Sequence, residues 1–195
     1  MMQVEQFVMA YGVEQDRLRA LLPEGFTSLR PVLRINAELR QGAQETAYLE
    51  FNTAVEHEGR RGWLNIGHWE GDTLSVSREG KTVTFTAPFL SIRFTGVGIV
   101  GGCPAEKDNA GCFFPGREPA LRPAEAITAN KEFCDCSFAW HFNENDARGV
   151  SIGKTLPAIP TEPRHTYPRQ PLSPERAAAI PCDQVLGAYV VRFRR

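Results

Sequence analysis

The sequence predicts a mainly β protein whose antiparallel strands form a closed or partly open barrel, with one short helix near the N-terminus. Apolar and polar residues alternate over many short stretches, and Gly, Pro and charged residues separate these stretches. Only one stretch, from Glu14 to Leu22, has its leucines at helical spacing. Many short strands with a single helix are typical of a sheet that closes into a barrel or folds as a sandwich.

The first half of the chain contains most of the predicted elements. A strand over 7–11 leads into the helix, which opens with Glu14 and Asp16, as the helix dipole favours, and which Pro23 and Gly25 end. Six further strands are predicted over 31–39, 46–55, 61–70, 73–77, 82–86 and 89–100.

The second half is less regular. Residues 101–128 are rich in Gly, Pro and Ala, which predicts a loop with at most a short helix. Residues 133–142 and 184–194 alternate like strands. Between them, residues 156–181 hold half of the 14 prolines, so we expect an extended segment on the surface.

Composition limits the classes of partner. With 195 residues and 42% hydrophobic residues, the chain is most simply a single domain over 1–195. A net charge of −1 without a basic run argues against nucleic acid. The sequence shows no signal peptide and no membrane-spanning stretch, which predicts a cytoplasmic protein that does not bind a membrane. No sequence feature indicates a cofactor.

Residues 7–26 read FVMAYGVEQDRLRALLPEGF, a strand that ends in Tyr followed by a helix that ends in Leu-Leu-Pro-Glu. This unit resembles the N-terminal unit of acetoacetate decarboxylase, and the similarity extends through 31–36 and 47–50. The resemblance implies a β-barrel with a central cavity and a homo-oligomer. Function transfers less readily than fold.

The resemblance also implies a catalytic lysine pair that forms a Schiff base with a ketone. This sequence has only four lysines, no two of them adjacent, so we interpret the chain as a divergent member that lacks the pair. Lys107 is the alternative imine former, because it follows a Gly-Cys-Pro stretch. However, Glu106 and Asp108 flank Lys107, and nearby negative charge raises the pKa of an ammonium group.

The candidate site lies on the second, third and fourth strands. Glu50 matches a carboxylate of the family's pocket, and Asn36 lies where the family has a second one. Arg34 shares a strand face with Asn36 because side chains alternate with a period of two. We therefore predict Glu50 as the catalytic residue, and Arg34, Asn36, Tyr48 and His68 as substrate-binding residues. The alternative is an internal ion pair between Arg34 and Glu50 that only stabilises the fold.

Cysteines and a second histidine are weaker candidates. Cys134 and Cys136 lie on one face of a strand, and Cys103 and Cys112 lie in the preceding loop region. Four thiolates could bind structural zinc, but free cysteine also packs as a small apolar residue, and we assign no metal site. His141 could face the cavity in the same way as His68.

The function predicted from these residues is binding of a small keto, carboxylate or apolar carbonyl compound in the cavity of the barrel. If the protein turns this ligand over, Glu50 would transfer a proton, as in a lyase, hydratase or isomerase. A non-catalytic binding or structural protein is the first alternative. A Schiff-base decarboxylase that uses Lys107 is the second.

Overall fold

The computed structural model describes residues 1–104, 109–142, 145–149 and 162–195. Two short helices are present, α1 (Gln15–Leu21) and α2 (Pro174–Ala178), with one 3₁₀ turn, Gly71–Thr73. The strands are β1 (Gln3–Gly12), β2 (Phe26–Gln41), β3 (Glu45–His57), β4 (Arg60–Glu70), β5 (Ser75–Glu79), β6 (Thr82–Ala87), β7 (Leu90–Val100), β8 (Gly111–Phe114), β9 (Ala120–Pro123), β10 (Lys131–Trp140), β11 (Asp146–Gly149) and β12 (Gln184–Arg194). The mainly β fold predicted from the sequence is confirmed.

All twelve strands belong to one sheet. Its order is β5-β6-β7-β10-β12-β1-β2-β3-β4-β8-β9, with β11 paired to β10. Among the described residues the outer strands β5 and β9 do not pair with each other, so the sheet is partly open rather than closed. The pairs are antiparallel, as predicted, except for β4 and β8, which run parallel.

The central strands β1, β2 and β3 are buried on both faces. On β2 every residue from Val32 to Leu39 is buried. In the middle of the three strands, odd-numbered residues such as Ile35, Leu49 and Phe51 belong to the main apolar core, and we call this side the core face. Even-numbered residues point to the opposite side, the cavity face, where Arg34, Asn36 and Glu50 are also buried.

The region 101–128 was predicted as a loop, and this prediction is wrong for two short stretches. β8 lies against β4, with Trp63 opposite Cys112, and β9 pairs with β8. The close approach requires glycine, since a Cβ on Gly62 would clash with the carbonyl oxygen of Gly111. Gly111 itself has a φ of 138°, which side chains rarely adopt. The glycines that suggested a loop therefore permit tight strand packing.

The proline-rich segment also differs from the prediction of purely extended chain. Within its described part, Ser173 caps α2 by accepting a hydrogen bond from the backbone N–H of Arg176, and Pro174 occupies the first helical turn. Residues 156–161 of this segment lie outside the described residues.

No helix in the described ranges has the length and the apolar composition to cross a bilayer.

Candidate functional site

A polar cavity of about 670 Å³ lies on the cavity face of β1–β4. The sheet forms one wall, and the segment 109–127, which carries β8 and β9, forms another. All five site residues predicted from the sequence line it: Arg34, Asn36, Tyr48, Glu50 and His68. Their roles remain predictions, but the structure brings them to one space.

Glu50 is the centre of a hydrogen-bonded group within this cavity. It is 4% exposed and both of its carboxylate oxygens accept a hydrogen bond. The Tyr48 hydroxyl donates to Oε2 at 2.9 Å, and the Asn52 amide donates to Oε1 at 2.8 Å. These two bonds fix the plane of the carboxylate, which is the condition for directed proton transfer.

Arg34 completes the group from the side of β2. Its Nε donates to Asn52 Oδ1 at 2.8 Å, and its Nη2 lies 3.9 Å from Glu50 Oε1. The guanidinium carbon lies 3.5 Å from the centre of the Trp63 ring, so the arginine is held by stacking as well as by charge. Arg34 therefore orients Glu50 through Asn52 and compensates its charge.

Asn36 is opposite Glu50 in the β2–β3 ladder and is 8% exposed. Its Oδ1 is buried and accepts no hydrogen bond from any residue that the structure describes. A buried acceptor without a donor costs free energy, on the order of 1–3 kcal/mol. Among the described residues, this oxygen is the only fully buried side-chain polar atom of the predicted site without a hydrogen-bond partner.

Tyr48 and His68 form the aromatic part of the wall. Burial, together with the neighbouring Glu50 carboxylate, raises the pKa of Tyr48, so the hydroxyl keeps its proton at neutral pH. The His68 ring lies 6.0 Å from that of Tyr48, and its Nδ1 is 3.3 Å from Asn65 Oδ1. His141 follows β10 and is exposed outside the cavity lining, so the expectation that it could face the cavity is not met.

A second charged cluster lies at one side of the cavity. Glu38, 4% exposed, accepts hydrogen bonds from Arg40 at 2.7 Å and from both terminal nitrogens of Arg195 at 3.2 Å. Arg195 also donates to Glu125 at 3.0 Å and so connects the sheet to the covering segment. Burial would raise the pKa of Glu38, but the two arginines outweigh it, and the pKa lies below its ordinary value.

Sequence reasoning missed Arg122, which lines the cavity from β9. Its Nη1 is 3.5 Å from the Tyr48 hydroxyl, and its guanidinium carbon is 4.7 Å from the centre of the Phe114 ring. Within the described residues it makes no ion pair with a carboxylate. Arg122 escaped notice because its segment was predicted as a loop. By contrast, the period of two that placed Arg34 and Asn36 on one face would also have found Glu38.

Neither described lysine, Lys81 or Lys131, lines the cavity. Lys107, the imine former considered from the sequence, lies outside the described residues. Its flanks do reach the site, since Pro104 and Asn109 both line the cavity.

The cysteines lie in three different environments. Cys134 and Cys136 are buried in the main core, Cys112 lines the cavity and Cys103 is exposed. Burial raises the pKa of Cys112 and of Cys134 to about 12, so both remain thiols at neutral pH. In the part of the chain that the structure describes, no three His, Cys, Asp or Glu side chains are placed to hold a metal ion.

Solved structures share this architecture. Acetoacetate decarboxylase from Legionella pneumophila aligns with a TM-score of 0.54 at 12% identity, over 98% of this chain and 82% of that one. A second acetoacetate decarboxylase structure aligns with a TM-score of 0.51 at 11% identity, over 98% of this chain and 84% of that one. The chain has the acetoacetate decarboxylase fold.

The same fold occurs in the enduracididine biosynthesis enzyme MppR. Its complex with pyruvate aligns with a TM-score of 0.50 at 10% identity, over 98% of this chain and 84% of that one. No protein-family model matches this sequence, and neither does any curated protein. The structural alignments establish the acetoacetate decarboxylase fold, and identities of 10–12% leave the activity to be argued from the site.

Proposed function

We propose that this protein is an enzyme of small carboxylates that contain a keto or enol group, and that it works by proton transfer at Glu50 without an imine. The observation that supports this proposal most strongly is the Glu50 group: a buried carboxylate whose two oxygens are held by Tyr48 and Asn52 on the wall of a cavity. A carboxylate that only stabilised the fold would not require a neighbouring cavity of ligand size.

The proposed chemistry follows from the hydrogen bonds. Glu50 would remove a proton from the carbon next to the ligand's carbonyl, which leaves an enolate. The enolate would either take that proton back from Glu50 at another atom, as in an isomerase, or expel hydroxide from the adjacent carbon, which leaves as water with the proton that Glu50 holds, as in a hydratase or related lyase. Arg122, which lacks a carboxylate partner among the described residues, would bind the acid group of the ligand as a bidentate fork.

Arg34 was predicted from the sequence as the residue that binds the acid group. Its contacts support a different proposal, because its Nε is used by Asn52 and its face by Trp63. We therefore propose that Arg34 positions Glu50.

A cytoplasmic location and a homo-oligomeric assembly remain proposals that stem from the sequence.

The imine mechanism is a second candidate, since Pro104 and Asn109 line the cavity on either side of the stretch that contains Lys107. Borohydride reduction in the presence of acetoacetate or pyruvate separates the two mechanisms. We expect no covalent adduct by mass spectrometry. An adduct on Lys107 that is absent in Lys107→Gln would contradict proton transfer by Glu50 and would support the imine mechanism.

The main test is a thermal-shift panel of small keto acids, hydroxy acids and enones, followed by turnover assays of those that bind. We expect acids to stabilise the wild type, and Glu50→Gln to abolish turnover while it retains the wild-type melting temperature. If no compound stabilises the wild type and Glu50→Gln lowers the melting temperature by several degrees, the non-catalytic structural alternative is correct.

A further inference from the structure

His68 lines the cavity from β4, and its imidazole ring is held in one orientation although the residue is exposed. The ring lies 6.0 Å from that of Tyr48 and meets the Phe114 ring edge-on at 5.7 Å, measured between ring centres. Its Nδ1 lies 3.3 Å from Asn65 Oδ1. Among the described residues, none forms a hydrogen bond with Nε2. The ring is therefore positioned, and one of its two nitrogens is unused.

Asn65 determines which nitrogen of His68 carries the proton. Asn65 is 4% exposed, and its Nδ2 donates to the carbonyl oxygen of Gly67 at 3.5 Å. In this orientation Oδ1 faces His68, and because a carbonyl oxygen only accepts, Nδ1 is the protonated nitrogen. Nε2 then has a lone pair in the neutral ring and gains an N–H only in the imidazolium form. His68 can donate a hydrogen bond from Nε2 only as a cation.

The position of His68 relative to Glu50 suits work on one ligand. The two residues are directly opposite in the β3–β4 ladder, and both line the cavity. Opposite residues in a ladder have Cβ atoms about 4.5–5.5 Å apart. In a keto compound, one carbon separates the carbonyl oxygen from the carbon that loses its proton. Glu50 and His68 can therefore reach these two atoms of the same molecule.

We propose that His68, as an imidazolium, donates a hydrogen bond from Nε2 to the carbonyl oxygen of the ligand and so stabilises the enolate that forms when Glu50 removes the proton. The proton stays on Nε2, and no bond to His68 is made or broken. A charged donor at the oxygen where negative charge develops is an efficient form of transition-state stabilisation. This inference rests on the proposed function and deepens it by naming the group that receives the enolate charge.

The ring of Phe114 brings this donor close to Arg122. The guanidinium carbon of Arg122 lies 4.7 Å from the centre of the Phe114 ring, and the His68 ring contacts the same ring. In a 2-keto acid the carboxylate and the carbonyl oxygen are on adjacent carbons. Such a molecule can place its carboxylate at Arg122 and its carbonyl oxygen at His68. Pyruvate is therefore the probe that matches the two positions.

The charges around His68 come from three strands. Glu50 on β3 and Glu70, two residues along β4, favour the imidazolium, whereas Arg122 on β9 opposes it. A bound carboxylate compensates Arg122, so the cation is favoured further in the complex. The other titratable groups of this wall are uncharged at neutral pH: the Tyr48 hydroxyl on β3 and the Cys112 thiol on β8.

Asn36 is the alternative donor to the enolate oxygen, since it lies opposite Glu50 on the other side, in the β2–β3 ladder. Its amide group is neutral and donates at every pH. His68 donates from Nε2 only when the ring is protonated, and histidine changes its charge near neutral pH. The pH dependence of the reaction therefore separates the two donors.

The experiment measures protein-dependent exchange of the pyruvate methyl protons with D₂O as a function of pH. We expect the wild-type rate to fall as the pH rises through neutrality, because Nε2 loses its proton. In His68→Gln we expect the rate at acid pH to be about 10²-fold lower and the decline with pH to disappear. His141→Gln is the matched control, since His141 is exposed and does not line the cavity, and it should match the wild type.

Two further measurements separate chemistry from structure. We expect His68→Gln to keep the wild-type melting temperature and to change the Kd of pyruvate much less than the exchange rate. In His68→Ala, added imidazole should restore exchange more strongly at about pH 6 than at about pH 8, because the added imidazolium is the donor.

The outcomes distinguish this inference from the proposed function. Wild-type exchange in His68→Gln, or slower exchange with an unchanged pH profile, overturns the inference and leaves the role of Glu50 intact. A loss of exchange in Asn36→Leu but not in His68→Gln also overturns it and assigns the donor to Asn36. If the wild type itself does not exchange, this inference and the proposed function are both wrong.

Discussion

Glu50 and Phe51 are adjacent in the chain and point to opposite sides of the same strand. Phe51 is fully buried on the core face, where its ring lies 4.6 Å from that of Trp140. Glu50 is almost as deeply buried on the cavity face, where it is surrounded by hydrogen-bond donors. Burial alone therefore does not separate a residue that stabilises the fold from one that is available for chemistry.

The difference lies in what each face packs against. The core face is covered by apolar side chains of other strands and of both helices. The cavity face is covered by a segment that leaves about 670 Å³ of space. We infer that stability depends mainly on the first face and function on the second.

The largest expected effect on stability is that of Phe51→Ala. Removal of a fully buried ring leaves a cavity in a packed core, and we expect a loss of about 3–5 kcal/mol in the free energy of unfolding. Urea denaturation monitored by tryptophan fluorescence measures it. Phe51→Leu, which keeps most of the volume, should lose clearly less. Equal losses in the two variants would show that this face is not tightly packed.

Glu50→Gln should have a large effect on turnover and a small effect on stability, the reverse of Phe51→Ala. Glutamine keeps the shape but cannot take up a proton, so we expect turnover to fall by about 10²–10⁴-fold. The free energy of unfolding should change by about 1 kcal/mol or less, because the amide can still hydrogen bond. A stability loss as large as that of Phe51→Ala would contradict the division between the two faces.

Glu38→Gln gives a smaller effect that depends on pH. The pKa of Glu38 in the folded protein lies below its ordinary value of 4.5, so its charged form stabilises the fold above that value. This contribution is lost as the pH falls through the lower, folded pKa. We expect the stability difference between wild type and Glu38→Gln to be constant from pH 7 to about 5 and to shrink below the ordinary pKa.

Urea titrations at several pH values between 7 and 3.5 measure this difference. Glu79→Gln is the matched control, since Glu79 is exposed on the edge strand β5. A difference for Glu38→Gln that grew toward acid pH would contradict the assigned direction of the pKa shift.

Arg61→Gln should have the smallest effect. Arg61 Nε lies 3.4 Å from Glu56 Oε2, on the same two strands as the site, but the two side chains are 57% and 40% exposed. Exposed pairs contribute little, and we expect a change below about 0.5 kcal/mol at pH 7. A larger loss, measured by urea denaturation, would mean that exposed charges beside the β3–β4 turn also stabilise the fold.

Local sequence patterns predicted most of the fold, because alternation and turn residues are local signals. The helix over 14–22 and the strand over 184–194 were found in this way and match α1 and β12 closely. β8 could not be found, since its pairing depends on the contact of Gly62 with Gly111, which is distant in sequence. Glycine there signals close packing, which only the three-dimensional structure distinguishes from a turn.

The candidate site was predictable where it follows one strand and not where it crosses elements. The period of two placed Arg34 and Asn36 on one face. The same period also places Asn52 on the face of Glu50, although the sequence analysis did not single it out, and the structure adds the hydrogen bond between the two side chains. Arg122 enters from β9, whose position depends on the pairing of β8 with β4, and β4 is distant from β8 in sequence.

The central claim is that Glu50 moves protons on a ligand bound at the cavity face. The most direct measurement is exchange of the methyl protons of pyruvate with D₂O, followed by proton NMR. We predict that the wild type accelerates the exchange, that Glu50→Gln does not, and that Lys107→Gln exchanges like the wild type. Exchange that persists in Glu50→Gln and is lost in Lys107→Gln would contradict the account.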